Sequence, residues 1–489
     1  MSNHKQKLVQ GTAYIGMAMV VTHLLSFISS IIHARLLGPE NLGVLTILRD
    51  IGGIVIPVIM CGIPIAMTKF IAEYDVSDHN KMKKTLSTGF TIILIFALVG
   101  SIIYFLASDF VAVNIYQKPI LGTLMKINAI FITLSVLVNF VIGALQGFQK
   151  IRQIAMITII NSAVSLPILY FFIMAMGLIG AVIAGAIGVT INLLITLRFY
   201  IPVMHEKRLH FSLNIDKEST ITLLKYSLPI LLSIIILRPA RLYGLSYLGI
   251  FCGYAEVGYY KVAMSLYNLS LFIPSAIATP LFPIISELQS DIRKRANMIS
   301  RIIRLQILAM LPVIVCLGPT SKYVLVILFG SKYIGAYFVT YIMLNVALLS
   351  SVFSTLGVLL QGTGRTKHIL LIDIANASMF IIGAAYLIDL FGVNGLGLLW
   401  LVTSVVLLVP YMFYLIKNSD IEFNLIKVPI LLSILFLSVD FVLIRTFLGV
   451  ELIISTVIIT VLLVGVEIAI LTDDDKRILK GAFKSILNR

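Results

Sequence analysis

Apolar residues run through this chain in long stretches. They do not alternate as in a strand, and they do not form the one-sided stripe of a soluble helix. Crossing a bilayer takes about 20 apolar residues in a helix, whereas barrel strands are shorter and alternate. The pattern predicts about fourteen helical spans, at 11–33, 42–66, 87–107, 120–146, 154–174, 178–198, 221–248, 257–285, 301–318, 337–360, 369–388, 395–416, 428–446 and 451–471. Prolines interrupt two of them: Pro57 and Pro64 in the second, Pro274 and Pro280 in the eighth. A proline inside a span removes a backbone donor and kinks the helix.

The polar positions between spans alternate in charge. Lys69, Lys81, Lys83, Lys84, Lys150, Arg152, Arg198, Lys207, Arg208, Arg293, Lys294, Arg295, Arg365, Lys367 and Lys417 fall in every second connection. The intervening connections hold little beyond Arg35, Lys118, Lys322 and Lys332. Basic loops stay in the cytoplasm, so both termini are expected there. The opening MSNHKQKLVQ leads into the first span without an A-x-A pattern, and an uncleaved first helix is expected.

A shift of 215 residues aligns Gly43 with Gly258, Gln146-Gly147 with Gln361-Gly362, and Gly177 and Gly180 with Gly392 and Gly395. Each repeat then holds six spans. An even number gives both halves the same orientation, as in parallel transporter repeats, with the substrate path between them. The organisation expected is a six-helix lobe at 1–198, a cytoplasmic linker at 199–220, a second six-helix lobe at 221–416, an extra helix pair at 417–472, and an amphipathic cytoplasmic tail at 473–489. The fold class is an all-α polytopic membrane protein.

Composition agrees: 59% of the 489 residues are hydrophobic and 12% charged, with mean hydropathy +1.05. Soluble domains carry about 25% charge. The net charge of +15 does not indicate nucleic acid, because the basic residues sit in short loops. Cys61, Cys252 and Cys316 lie in or beside apolar runs without metal or disulfide spacing and read as packing residues. No cluster has metal-ligand spacing, GTGRTK at 362–367 lacks the phosphate-loop spacing, and no cofactor is implied. His23 and His33, on or just past the first span, read as structural donors.

The chemistry lies in charges within spans. These are Arg49 and Asp50 on the second span, Lys126 on the fourth, Arg238 and Arg241 on the seventh, and Glu256 and Lys261 on the eighth. Ionisable groups in hydrocarbon are costly and face a cavity or a partner. Five cations against two anions make a net positive set, stable in a hydrated cavity or against an anionic ligand. Arginine's planar fork suits phosphate. Arg49, Lys126, Arg238, Arg241 and Lys261 are therefore the candidate substrate-binding residues. Asp50, Glu256 and Asp373 are candidate charge partners or coupling groups.

The segment HARLLGPENLGVLTILRDIGGIVIPVIMCGIPIAMTKFIAEY, at 33–74, resembles the N-terminal signature of oligosaccharide flippases. These form the polysaccharide transport branch (Wzx-type and stage V sporulation protein B-like) of the multidrug/oligosaccharidyl-lipid/polysaccharide exporter superfamily. Ala255-Glu256-Val257-Gly258-Tyr259-Tyr260 and the two Gln-Gly turns also look like that family. The resemblance implies a central cavity lined by the first, second, seventh and eighth spans, and alternating access. It implies transfer of a polyprenyl-diphosphate-linked oligosaccharide from the inner to the outer leaflet of the cell membrane. It also implies a lipid groove formed by the two extra helices, where Asp440 and Arg445 interrupt the thirteenth span. The expected partners are this lipid-linked substrate and membrane lipid, with no nucleic acid, and the protein is expected to be a monomer. A multidrug or cation antiporter of the same superfamily would favour a carboxylate-dominated cavity. A membrane enzyme of glycan assembly would need acidic or histidine catalytic groups at a membrane face.

Overall fold

In a membrane the apolar face of a helix turns outward and the small or polar face turns inward. The helix at His79–Phe110 shows this inversion in the computed structural model of the chain. Val99, Ile102, Ile103, Leu106 and Phe110 are exposed on one face, while Ile93, Ala97, Ser101, Tyr104 and Ser108 are buried on the other. The buried face is joined to its neighbour by a Ser101–Thr133 hydroxyl contact of 2.9 Å.

The structure describes residues 2–209, 212–272, 274, 291–363, 365–418 and 421, with short pieces at 425–433, 435, 455–456, 458–464 and 466. The helices are α1 (Ser2–Met60), α2 (Ile63–Ser77), α3 (His79–Phe110), α4 (Pro119–Gly147), α5 (Ile151–Glu206), α6 (Lys217–Tyr247), α7 (Tyr254–Ser270), α8 (Ile292–Phe329), α9 (Tyr337–Gly362), α10 (Thr366–Phe391) and α11 (Val393–Lys417). Eight helical runs among the described residues are long and apolar enough to cross a membrane. The chain is an all-α polytopic membrane protein. Two of the eight runs are double, each turning back at a glycine. Pro280 and Pro283 lie outside the described residues, as do Asp440, Arg445, Glu467 and the tail 473–489; the thirteenth and fourteenth spans lie largely outside them.

The repeat appears as backbone geometry. α1 breaks at Gly38, with φ 74° and ψ 173°, and its repeat mate Gly253 has φ 104° and ψ 154°. Gly177 breaks α5 at φ 56°, ψ −128°. Its mate Gly392, between α10 and α11, has φ 57°, ψ −134°. Left-handed φ is strained for any residue with a Cβ. After the break at Gly177, Gly180 lies so close to the Phe172 carbonyl that a Cβ would stand 1.9 Å from its oxygen. Gly395 meets the Leu387 carbonyl at the same 1.9 Å. These pairs are the same hairpin built twice.

The chain divides into two compact units within α7, Met1–Gly258 and Tyr259–Arg489. In the first, α1 packs on α3, α4, α5 and α6, and α2 packs on α3, α4 and α6. The second expected span ends at Met60. Cys61 and Gly62 both take positive φ, and Pro64 opens α2 two positions later. In the second unit α8 packs on α9, and α11 packs on α9 and α10. Its buried Gln306 donates to the Pro274 carbonyl at 3.1 Å and accepts from Thr355 at 2.7 Å.

The connection expected at 199–220 is shorter, because α5 continues to Glu206 and Asp216 caps α6. Lys207 grips Asp75 at 2.6 and 2.7 Å. Ser212 donates to the Ser87 hydroxyl at 2.7 Å, and the Asp216 amide donates to Thr88 at 3.0 Å. The segment is a strap bound to α2 and α3. It gathers basic residues at one end of the first unit, with Lys150 paired to Glu206 at 2.8 Å and Lys84 4.0 Å from Asp216.

Candidate functional site

Two helices of the first unit, α1 and α6, carry Arg49, Asp50, Arg238 and Arg241. The contact that proves their arrangement is Arg49 to His33. In a straight helix, residues sixteen apart stand about 24 Å apart, yet the Arg49 guanidinium reaches the His33 ring Nε2 at 2.7 Å. The chain therefore doubles back at Gly38. Beyond the break, α1 and the turn after it run against α6 and the start of α7 through three close approaches: Tyr254 of α7 to Gly43, Arg238 of α6 to Gly53, and Ser227 of α6 to Gly62 just past α1. The order is antiparallel. At about 1.5 Å per residue, Arg49 stands about 15 Å from Pro39, about half the thickness of a hydrocarbon layer of about 30 Å.

Arg238 donates to the backbone carbonyl of Gly53. In a regular helix that carbonyl accepts from the amide four residues on, which is residue 57. Pro57 has no N–H. The carbonyl freed by Pro57 is thus filled by an arginine from the facing helix, as a complete account of backbone donors requires. Arg241 lies about one turn's rise closer to the Gly38 end than Arg238. That places it at the level of Arg49 and Asp50, whose carboxylate acts electrostatically on Arg49. Arg49, Asp50, Arg238 and Arg241 are exposed or half-exposed along this seam. An arginine fork carries five N–H donors. Arg49 spends donors on His33, and Arg238 on Gly53. Arg49, Arg238 and Arg241 thus lie within about one helical turn of one another along α1 and α6, with Asp50 next to Arg49 in sequence.

The other candidates fall elsewhere. Lys126 pairs with Asp109 at 2.6 Å, an anion that the sequence reading left out of its balance. Lys126 therefore does not add an unneutralised cation. Glu256 lies in the first turn of α7 and is half-buried. Lys261 on α7 and Asp373 on α10 belong to the second unit, both half-buried. Among the described residues no group of three or more His, Cys, Asp and Glu side chains is gathered for a metal.

The Gly38 end of the seam is closed by backbone contact. A Cβ on Gly43 would stand 1.8 Å from the Tyr254 carbonyl oxygen, and one on Gly258 would stand 2.1 Å from that of Pro39. Residues 39 and 43 are the repeat mates of 254 and 258, so each turn presses its glycine on the other. Around them the Tyr254 hydroxyl donates to the Tyr116 carbonyl at 2.6 Å. Tyr116 meets Ser246 at 2.8 Å. Lys118 holds Glu40 at 2.7 Å while lying over the Tyr254 ring at 5.2 Å.

The sequence profile of polysaccharide biosynthesis proteins matches residues 8–289. The chain belongs to this family. The matched segment holds the Gly43–Gly258 closure and all of the α1–α6 charges. Stage V sporulation protein B of Bacillus subtilis is 23% identical over 307 residues, which is 58% of this chain and 59% of that protein's length. A Shigella flexneri protein named as an O-antigen transporter is 23% identical over 377 residues, 75% of this chain and 88% of that one. Among solved structures, lipid II flippase MurJ in an inward closed conformation matches with a TM-score of 0.75. That match has 15% identity and covers 93% of this chain and 97% of that one. The likeness shows a shared fold over nearly the whole chain.

Sequence reasoning missed His33 as an acceptor, the Gly53 carbonyl and Asp109. Pro57 was a readable signal, since every helical proline frees the carbonyl four residues before it. His33 carried no pattern of its own; only the reversal at Gly38 brings it to Arg49.

Proposed function

We propose that this family member is a flippase for a polyprenyl-diphosphate-linked oligosaccharide, working by alternating access between the inner and outer leaflets of the cell membrane. What supports this reading is that Arg49 and Arg238 lie on the facing helices α1 and α6, Arg238 at Gly53 one turn from Arg49, with Asp50 beside Arg49 and Arg241 one turn from Arg238. A diphosphate offers several oxygens to such forks, and charge-assisted contacts of this kind contribute about 1.5–3 kcal/mol each. The lipid tail stays in hydrocarbon while the charged head crosses. The lobes 1–198 and 221–416 are the moving bodies in this reading. Lys126 and Lys261 assist with the anionic head, and Glu256 and Asp373 serve as charge partners or coupling groups. The basic alternate loops put both termini in the cytoplasm, and the protein acts as a monomer. A cationic strip favours this over extrusion of cationic drugs, which would be repelled by it.

The test is binding of undecaprenyl diphosphate to folded Arg49→Ala, Arg238→Ala and Arg241→Ala proteins, with flipping measured in liposomes. Each should lose about tenfold or more in affinity, and lysine at 238 or 241 should retain part of it. Wild-type affinity and flipping in all three would refute the reading.

A further inference from the structure

His33 is 3% exposed, and its two ring nitrogens make different demands. Nδ1 lies 2.7 Å from the carbonyl oxygen of Ser29, which can only accept. The Ser29 hydroxyl is also 3.4 Å from Nδ1. Nε2 lies 2.7 Å from a terminal nitrogen of Arg49, which can only donate. Only one form of the ring satisfies both, the neutral tautomer with its proton on Nδ1 and a lone pair on Nε2. The meeting follows from helix geometry. Each Cβ tilts toward its own N-terminus. On the two sides of the Gly38 break this brings the rings and forks of antiparallel helices toward one another. His33 starts about 7 Å from the break and Arg49 about 16 Å from it by helical rise, a gap that an arginine side chain spans.

We propose that His33 is the positioning residue for Arg49, an uncharged acceptor that fixes the guanidinium without neutralising it. This rests on the flippase reading above. A carboxylate in this place would hold Arg49 more strongly but would cancel its charge and repel an anionic head. An apolar ring would leave a long, rotamer-rich side chain to be ordered on binding, which weakens affinity. An imidazole lone pair holds one edge of the fork and leaves the charge and the other N–H donors for the ligand. His33 does not touch the substrate; it acts through Arg49.

The test is a double-mutant cycle read by binding of undecaprenyl diphosphate to purified protein in detergent micelles, with melting curves as the folding control. Arg49→Ala is expected to weaken binding about tenfold or more. His33→Phe keeps the ring and its burial but loses the lone pair, and is expected to weaken binding about fivefold. His33→Gln, whose amide end falls near the Nε2 position, should stay within about twofold of wild type. The double variant should bind as Arg49→Ala alone, because His33 has nothing left to position. If His33→Phe does not fold, His33→Asn replaces it. Its amide end lies near the Nδ1 position, short of Arg49, and it should lose affinity where His33→Gln keeps it. Wild-type affinity in His33→Phe, equal affinity in the Asn and Gln variants, or additive losses in the double variant would overturn the proposal while leaving the flippase reading intact. Wild-type affinity in Arg49→Ala would instead remove Arg49 from the binding site, and His33's role with it.

Discussion

The backbone contact between the Gly38 and Gly253 turns makes a sharp prediction for Gly43→Ala. The new methyl carbon would lie 1.8 Å from a backbone oxygen, where real contacts stay beyond 3.0 Å. Neither side of this contact is a flexible side chain, so no rotamer change relieves it. The two turns must part by more than about 1 Å. Forcing extra volume into a packed contact costs about 1–3 kcal/mol, and each 1.4 kcal/mol is about a factor of ten in a population. Gly258→Ala, with a 2.1 Å approach to Pro39, should behave alike. The assay uses a protein in which Cys61, Cys252 and Cys316 are replaced and a single cysteine stands at Val257, which is fully buried. A thiol reagent should label Val257→Cys slowly in the parent and about tenfold faster with Gly43→Ala, with the melting temperature lowered. If the turns part during transport, the same substitution also shifts the resting protein toward the state with this end open. Unchanged labelling and unchanged melting in both alanine variants would refute the reasoning, because the turns would then not be in rigid backbone contact.

Replacing Pro57 by alanine restores the amide that the Gly53 carbonyl lacks. The protein should become more heat-stable, by up to about 3 kcal/mol for an interior proline, while binding of the lipid diphosphate weakens several-fold as Arg238 loses its anchor; unchanged affinity would show that Arg238 does not depend on this carbonyl. Asp216 caps α6 through the Ser219 amide and hydroxyl, at 2.9 and 2.8 Å. These bonds, with Lys84 nearby, hold its carboxyl below the usual range. A depressed carboxyl stabilises the fold above its unfolded pKa and loses that contribution as pH falls through its folded value. The melting difference between wild type and Asp216→Asn should therefore be full near neutrality and close below about pH 4; a difference independent of pH would disprove the linkage.

The spans and the repeat were legible because each depends on local rules. Apolar length sets a span, and glycine or proline sets its end. Glycine spacing carried the repeat, since Gly177 and Gly392 must adopt nearly the same left-handed geometry. The arginines were legible by their cost in an apolar run. Their anchors were not. Whether Arg238 meets Asp50, Glu256 or a backbone oxygen depends on the register between α1 and α6, which no local rule sets. Asp109 was overlooked for a related reason. It lies at the far end of its helix, and only the turn from α3 to α4 returns it to Lys126. The attachment of the linker expected at 199–220 was not legible, because nothing local in it points to Ser87 and Thr88 on α3, which are buried and hydrogen-bonded to it.

The repeat also separates scaffold from site. At the 215-residue shift the chain keeps its turn glycines and their backbone contacts, but it does not keep its charges. Arg49 and Asp50 align with Met264 and Ser265, Arg238 with His23, and His33 with Leu248. Backbone contacts as close as those of Gly43 and Gly258 tolerate no side chain on either copy, so both halves hold them. The cationic strip has no such symmetry to satisfy. A diphosphate joined to a lipid at one end and a glycan at the other is itself unsymmetric. Under the proposed function, one set of arginines, drawn as Arg49 from the first repeat and Arg238 and Arg241 from the second, matches such a ligand better than two equal sets, which would bind it in two orientations. Introducing arginine at Met264 therefore tests the argument. It should create a second anion site and slow release, with tighter diphosphate binding and reduced flipping. Binding and flipping both unchanged would mean that the asymmetry of charge carries no selectivity.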